Sequence, residues 1–116
     1  TSGSIDHDGS LLDYCRLHDI TLQAWSPFQM PAWKGCFLGS DEYPELNQKL
    51  HVLAEKYNVS DTTIAAAWLL RHPANMQIIT GTASESRLKE IIAACEITLT
   101  REEWYELYLA AGHPLP

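Results

Sequence analysis

Met76-Gln77-Ile78-Ile79-Thr80-Gly81-Thr82-Ala83-Ser84-Glu85-Ser86-Arg87 is the stretch on which the reading of this chain turns. It opens as a short apolar run with the length and β-branched content of a strand. Gly81 to Ser84 then form a tight polar junction. Ser84 is placed to cap a helix whose apolar face is Leu88, Ile91, Ile92 and Cys95. A helix start exposes N–H groups that have no partner within the helix, and these can hold an anion. Gly81 lets a ligand approach the backbone, Thr82 offers a hydroxyl, and Arg87, about one turn inside the helix, could clamp a phosphate with its forked guanidinium. The same residues also suit an ordinary cap followed by a solvated arginine. The stretch is neither a G-x-G-x-x-G fingerprint nor a P-loop.

Working outward, a second junction lies upstream. Ile20-Thr21-Leu22-Gln23-Ala24-Trp25 is short, apolar and partly alternating, which reads as a strand, and Ser26-Pro27 stops it. Trp25 could present a stacking face there, with Ser26 and nearby backbone as hydrogen-bonding groups. Core packing of Trp25 ahead of a simple turn is the alternative. Before this strand, Ser10 and Asp13 resemble a capping box for a helix that carries Leu11, Leu12 and Cys15 on one face and ends near His18-Asp19. After it, residues 26–43 show no period. Pro31, Gly35, Gly39, Phe28, Trp33 and Phe37 mark a long aromatic loop of the kind that is usually functional.

Pro44 suits the first turn of a helix whose apolar side is Leu46, Leu50, Leu53 and Tyr57. Asn58-Val59-Ser60 breaks it, and Ser60 caps a further helix through Ile64, Ala65, Trp68 and Leu69 that stops at His72-Pro73. Thr100 and Glu103 form a capping box for a last helix with Trp104, Leu107 and Ala111, ended by Gly112 and Pro114. Strands alternating with helices imply an α/β fold with a parallel sheet. Two strands alone leave open edges and too little buried surface, so the expectation is a fragment of a larger α/β domain with a segment missing upstream. The lack of an initiator Met agrees with a truncated chain. Residues 1–9 read as a polar lead-in and 10–116 as the domain. Open strand edges also predict self-association.

Composition narrows the function. Net charge is −7 with acidic residues spread along the chain, which disfavours a nucleic-acid surface or an anionic membrane. No apolar run approaches the roughly 20 residues of a membrane helix. The N-terminus lacks the pattern of a signal peptide. Cys15, Cys36 and Cys95 are odd in number and widely spaced, which points to reduced thiols in a cytoplasmic protein. The histidines are scattered, so no metal site is expected. Helices 44–57 and 61–71 mimic a helix-turn-helix, but the second lacks cations for phosphate contacts. Asp41-Glu42 and Glu102-Glu103 are adjacent pairs whose side chains diverge. Cys36 has no histidine fixed beside it by sequence, so no nucleophile is proposed.

The ordered set of segments resembles one family. Residues 11–16 followed by 20–28, ending Ala24-Trp25-Ser26-Pro27-Phe28, are similar to the region of the seventh strand of aldo-keto reductases. Leu53-Ala54-Glu55-Lys56-Tyr57-Asn58-Val59-Ser60 and Ala67-Trp68-Leu69-Leu70-Arg71-His72-Pro73 resemble the helices that follow. Ile78-Ile79-Thr80-Gly81-Thr82, Arg87 and Leu99-Thr100-Arg101-Glu102-Glu103 resemble the eighth strand and the C-terminal helices. The likeness covers residues 10–116 and is nearest to a bacterial branch named as predicted oxidoreductases.

The resemblance implies the C-terminal portion of a (β/α)8 TIM barrel, with two parallel strands and about five helices. It also implies NADP(H) as cofactor and a small aldehyde or ketone as substrate. By position, Trp25 would stack on the nicotinamide, and Ser26, Pro27 and Phe28 would line the pyrophosphate. Gly81, Thr82 and Ser84 would surround the adenosine phosphates, Arg87 would hold the 2′-phosphate, and Glu90 would lie near the adenine. Family members often carry Asn where Ile91 stands and Lys where Gly81 stands, which leaves more of the phosphate charge to Arg87. Residues 29–43 would border the substrate pocket. The family's catalytic Tyr, Lys, Asp and His come from the first half of the barrel, and none of those motifs occurs here. The chain is therefore expected to supply a cofactor-binding half, inactive alone. The alternative is a non-catalytic NADP(H)-binding or interaction module of the same fold.

Overall fold

A computed structural model describes residues 8–31 and 34–115. The expected lead-in up to residue 7 and the loop aromatic Trp33 lie outside the described residues. Within them the chain runs α1 (Ser10–Leu17), β1 (Leu22–Trp25), α2 (Pro44–Tyr57), α3 (Asp61–Arg71), β2 (Met76–Ile79), α4 (Glu85–Ala93), a short 3₁₀ turn (Ala94–Glu96) and α5 (Arg101–Ala110). The strands pair in parallel, with Leu22 beside Met76, Gln23 beside Gln77, Ala24 beside Ile78 and Trp25 beside Ile79. The two parallel strands and five helices are those anticipated.

Because side chains alternate along a strand, this register puts Leu22, Ala24, Met76 and Ile78 on a half-covered face. Gln23, Trp25, Gln77 and Ile79 are exposed on the other, where the Gln23 amide donates to the Gln77 side-chain carbonyl at 3.2 Å.

The core sits among the helices. Leu50, Leu53 and Ala54 of α2 meet Ile64, Ala65, Ala66 and Ala67 of α3, and Ala94, Leu99 and Leu107 complete the cluster. Small alanines let α2, α4 and α5 approach α3 closely, so α3 is covered on most sides. Pro44 opens α2, and Asn58 ends it at a left-handed φ of 54°, a conformation asparagine tolerates. The Ser60 hydroxyl accepts the Thr63 amide as expected, and Thr100 and Glu103 form the reciprocal capping box.

Three local expectations fail. Ser10 is the first helical residue rather than the cap of α1. Gly9 holds that place at φ 78°, and the Asp8 carboxylate accepts the Ser10 amide at 2.9 Å. Ser84 occupies the cap position of α4, but its hydroxyl makes no cap bond and lies 3.3 Å from the Ser86 hydroxyl. The amphipathic period of α4 also does not mark a buried stripe. The helix has no buried residue, Ile92 is 58 % exposed, and Leu88 and Cys95 are exposed too. Only Ile91 packs on the core, because α4 touches α3 along one line of contact.

Candidate functional site

Two chain turns bring the predicted junctions together. After β1, Ser26 adopts φ 48°, a left-handed conformation that is rare outside glycine and costs about 1–2 kcal/mol. Its carbonyl accepts the Gln29 amide at 3.0 Å, which closes a turn around Pro27 and Phe28. The chain then doubles back. Gln29 and Cys36 form an antiparallel bridge, the Phe37 amide donates to the Phe28 carbonyl at 3.0 Å, and the Phe28 and Phe37 rings meet edge-on at 6.2 Å. Asn47 of α2 pins the far end. Its amide nitrogen lies 2.9 Å from the Phe37 and Tyr43 carbonyls, and its oxygen accepts the Gly39 amide at 2.7 Å. The loop is thus held against the helices by backbone-directed bonds that composition does not announce.

This fold-back and the β2–α4 junction enclose a cavity of about 440 Å³. Ser26, Pro27, Phe28, Gly81, Thr82 and Arg87 all line it. Ser84, exposed, and Glu90, half-buried, are not on its wall. Trp25 is not on the wall either. It ends β1 and is 69 % exposed. The loop residues Gly35 and Cys36 and, from the first turn of α3, Thr62 also line the cavity. Sequence reading missed Thr62, because it became adjacent only through helix packing.

The electrostatics of the wall rest on one residue. Among the described residues, Arg16, Lys34, Lys49, Lys56 and Lys89 pair with carboxylates, and Arg71 donates to the Leu99 carbonyl at 2.9 Å. Arg87 has no such partner there, and among the described residues it is the one lysine or arginine lining the cavity. The Thr82 hydroxyl accepts the Ser84 amide at 3.0 Å. The first amide of α4 to reach back is that of Leu88, bonding the Ser84 carbonyl at 3.0 Å, so the amides of Glu85, Ser86 and Arg87 have no carbonyl partner within the helix. A Cβ built on Gly81 would meet nothing within 4 Å, which leaves open space at the junction. On the wall itself, the Arg87 guanidinium and the open space at Gly81 fit a phosphate group, while Glu85 and Ser86 lie off the wall. Among the described residues, no Tyr, Lys, His or carboxylate lines the cavity. Among the described residues, no group of three or more His, Cys, Asp or Glu could hold a metal ion, and no helix is long and apolar enough to cross a membrane.

Thr63 fixes the helix that presents Arg87. It is 1 % exposed, and its hydroxyl donates to the Glu90 carbonyl at 2.7 Å, tying α3 to α4. Thr63→Val keeps the shape and strands that carbonyl. We expect it to lower unfolding free energy by about 1–2 kcal/mol, read as a lower urea midpoint with unchanged slope.

The family model described as the aldo/keto reductase family matches residues 5–108. The chain is 33 % identical over 100 residues to a 6-dehydroglucose reductase of Agrobacterium fabrum, a match covering 86 % of this chain and 32 % of the relative. A 6-dehydroglucose reductase of Novosphingobium aromaticivorans is 31 % identical over 109 residues, covering 90 % of the chain and 34 % of that protein. Among solved structures, a thermostable aldo-keto reductase in complex with the inhibitor epalrestat superposes with a TM-score of 0.69 at 27 % identity, over 91 % of this chain and 36 % of its own. An aldo-keto reductase from a deep-sea metagenome library aligns at TM-score 0.64 and 20 % identity over 94 % of this chain and 37 % of its own, a likeness of fold. The chain spans about a third of the length of the curated relatives it matches.

Proposed function

Because the chain belongs to the aldo/keto reductase family and folds as part of its (β/α)8 barrel, we propose that it supplies the NADP(H)-holding part of an oxidoreductase that reduces aldehydes or ketones. When bound, that cofactor supplies the hydride that turns a carbonyl into an alcohol. The chain's own part is binding and orientation. Arg87 holds phosphate, Gly81 and Thr82 leave room and a hydroxyl beside it, and Ser26 to Phe28 form the opposite wall. Trp25, at the end of β1, offers an exposed ring as a stacking surface for the nicotinamide.

One observation carries the reading. In a chain of net charge −7, an uncommitted guanidinium lines the cavity that both junctions build. An extra phosphate is what such a group selects, so NADP(H) is favoured over NAD(H). Titration of the 116-residue chain with each coenzyme, followed by tryptophan fluorescence, tests it. We expect saturable NADPH binding at least about tenfold tighter than NADH binding. Equal affinities would remove the phosphate assignment, and no binding at all would remove the cofactor reading. A non-catalytic NADP(H)-binding module is the second reading, favoured because no Tyr, Lys, His or carboxylate among the described residues lines the cavity.

A further inference from the structure

After its fold-back the chain gives Gly35, Cys36 and Leu38 to the wall of the Arg87 cavity. A half-buried side chain that is not on that wall controls how this part of it stands. The Asn47 oxygen accepts the Gly39 amide at 2.7 Å, and its nitrogen lies 2.9 Å from the Phe37 carbonyl. These belong to the two peptide groups on either side of Leu38, so one carboxamide fixes the backbone of a wall residue from both directions. The same nitrogen lies 3.2 Å from the Ser40 carbonyl and 2.9 Å from that of Tyr43, so its two N–H groups serve three acceptors. The bonds continue inward from there. The Phe37 amide donates to the Phe28 carbonyl at 3.0 Å, and the Met30 amide to the Gly35 carbonyl at 2.7 Å. Phe28, Phe37 and Leu38 also pack partly on the core, but apolar contact is non-directional and does not by itself select one backbone arrangement.

We propose that Asn47 is a positioning residue for the coenzyme: it touches no ligand, and it acts by keeping residues 35–38 in one arrangement on the cavity wall. The inference rests on the NADP(H) reading and adds to it the cost of ordering the wall. Where the wall is loose, binding has to order it first. The apparent affinity then falls by the fraction of molecules in which the wall is already formed. That factor applies to every ligand of the cavity alike. It separates Asn47 from Arg87, whose guanidinium acts on the additional phosphate alone. Loosening that leaves the wall formed about a tenth of the time lowers the affinity for NADPH and for NADH about tenfold each.

Two variants of the 116-residue chain test it. Asn47→Leu keeps the volume and removes every bond, and Asn47→Ser, with one short hydroxyl, is the gentler change. Each is titrated with NADPH and with NADH by tryptophan fluorescence, and amide hydrogen exchange is followed by NMR without ligand. We expect both affinities to fall about tenfold in Asn47→Leu and less in Asn47→Ser, with the ratio between coenzymes as in wild type. Exchange at Phe37 and Met30 should quicken at least about tenfold, while the core amides of Ile64 and Leu107 keep their protection and report that the variant is folded. Should Asn47→Leu lose that protection, Asn47→Ser carries the comparison. Faster loop exchange with wild-type affinity for both coenzymes would overturn the proposal, because Asn47 would then only brace the start of α2. Unchanged loop exchange, a loss confined to NADPH, or loss of core protection in both variants would overturn it too. Wild type that binds neither coenzyme removes the NADP(H) reading and this inference with it. Wild type that binds while both variants bind equally well removes this inference alone.

Discussion

We expect Arg87→Ala to weaken the proposed NADPH binding by roughly tenfold to a hundredfold and to leave NADH binding almost unchanged. The figure follows from one charge-assisted, two-pronged contact to phosphate, worth about 1.5–3 kcal/mol. The effect is large because no neighbour can substitute: the remaining wall is Ser, Thr, Gly, Cys, Gln and apolar groups. It is also clean, because Arg87 makes no ion pair or side-chain hydrogen bond among the described residues, so thermal unfolding should stay within about 0.5 kcal/mol of wild type. Arg87→Lys keeps the charge and loses the fork, and an intermediate affinity is expected. Equal losses for NADPH and NADH would mean that Arg87 serves some part common to both coenzymes.

The largest expected effect on stability belongs to Glu103. It is 6 % exposed, yet it is charged, and three groups converge on it. Lys56 reaches one carboxylate oxygen, while the Tyr57 hydroxyl donates to the other at 2.7 Å and the Thr100 amide at 2.8 Å. One side chain thus closes the cap of α5 and fastens α5 to the end of α2. Glu103→Ala should lower the unfolding free energy by about 2–4 kcal/mol, a large part of the 5–15 kcal/mol typical of a domain.

Acid should show the same network. Burial raises the Glu103 pKa, but hydrogen bonds from Lys56, Tyr57 and the Thr100 amide, with the Lys56 charge, outweigh it and hold the carboxyl below its ordinary 4.5. A depressed carboxyl contributes stability above its unfolded pKa and loses it as pH falls through the folded one, so the loss lies below about pH 4.5. Burial, aided by Arg16, lowers the His72 pKa below 6.5. Its contribution is likewise lost as pH falls beneath that value, equally in wild type and variant. The stability difference between wild type and Glu103→Gln isolates the carboxylate: constant near neutrality, it should shrink in acid. A difference independent of pH would show that packing rather than charge is at stake. At the alkaline end the hydrogen bond to Glu103 raises both Lys56 and Tyr57, so their contributions persist to about pH 10 and fade above it.

The elements could be read from the sequence because each carried its own local punctuation. Pro44, Ser60, His72-Pro73 and the Thr100–Glu103 box set helix ends within a few residues, and short apolar runs marked both strands. Ser26, Pro27, Phe28, Gly81, Thr82 and Arg87 share one cavity wall because strand-to-helix junctions are written in consecutive positions, whereas Trp25, Ser84 and Glu90 fall off it. What stayed hidden was long-range or conformational. The left-handed turn at Ser26 has no residue signature, because serine rarely adopts it. Thr62 joins the cavity only through the packing of α3, and Glu103 meets Lys56 across 47 positions. The stripe on α4 marked it as amphipathic, but periodicity does not say how much of an apolar face a neighbour covers.

The contact between α3 and α5 has an optical consequence. The Trp68 and Trp104 rings lie parallel, 4.7 Å apart at 6° to each other, each indole N–H donating to the other residue's carbonyl at 3.0 Å. Two chromophores at that spacing couple their excited states, so the docked pair contributes an aromatic circular-dichroism signal that separated rings do not. Tyr108 stacks on Trp104 at 5.5 Å. That signal needs no label and exists only while the two helices are docked, so its loss on heating would time their separation independently of the helical backbone.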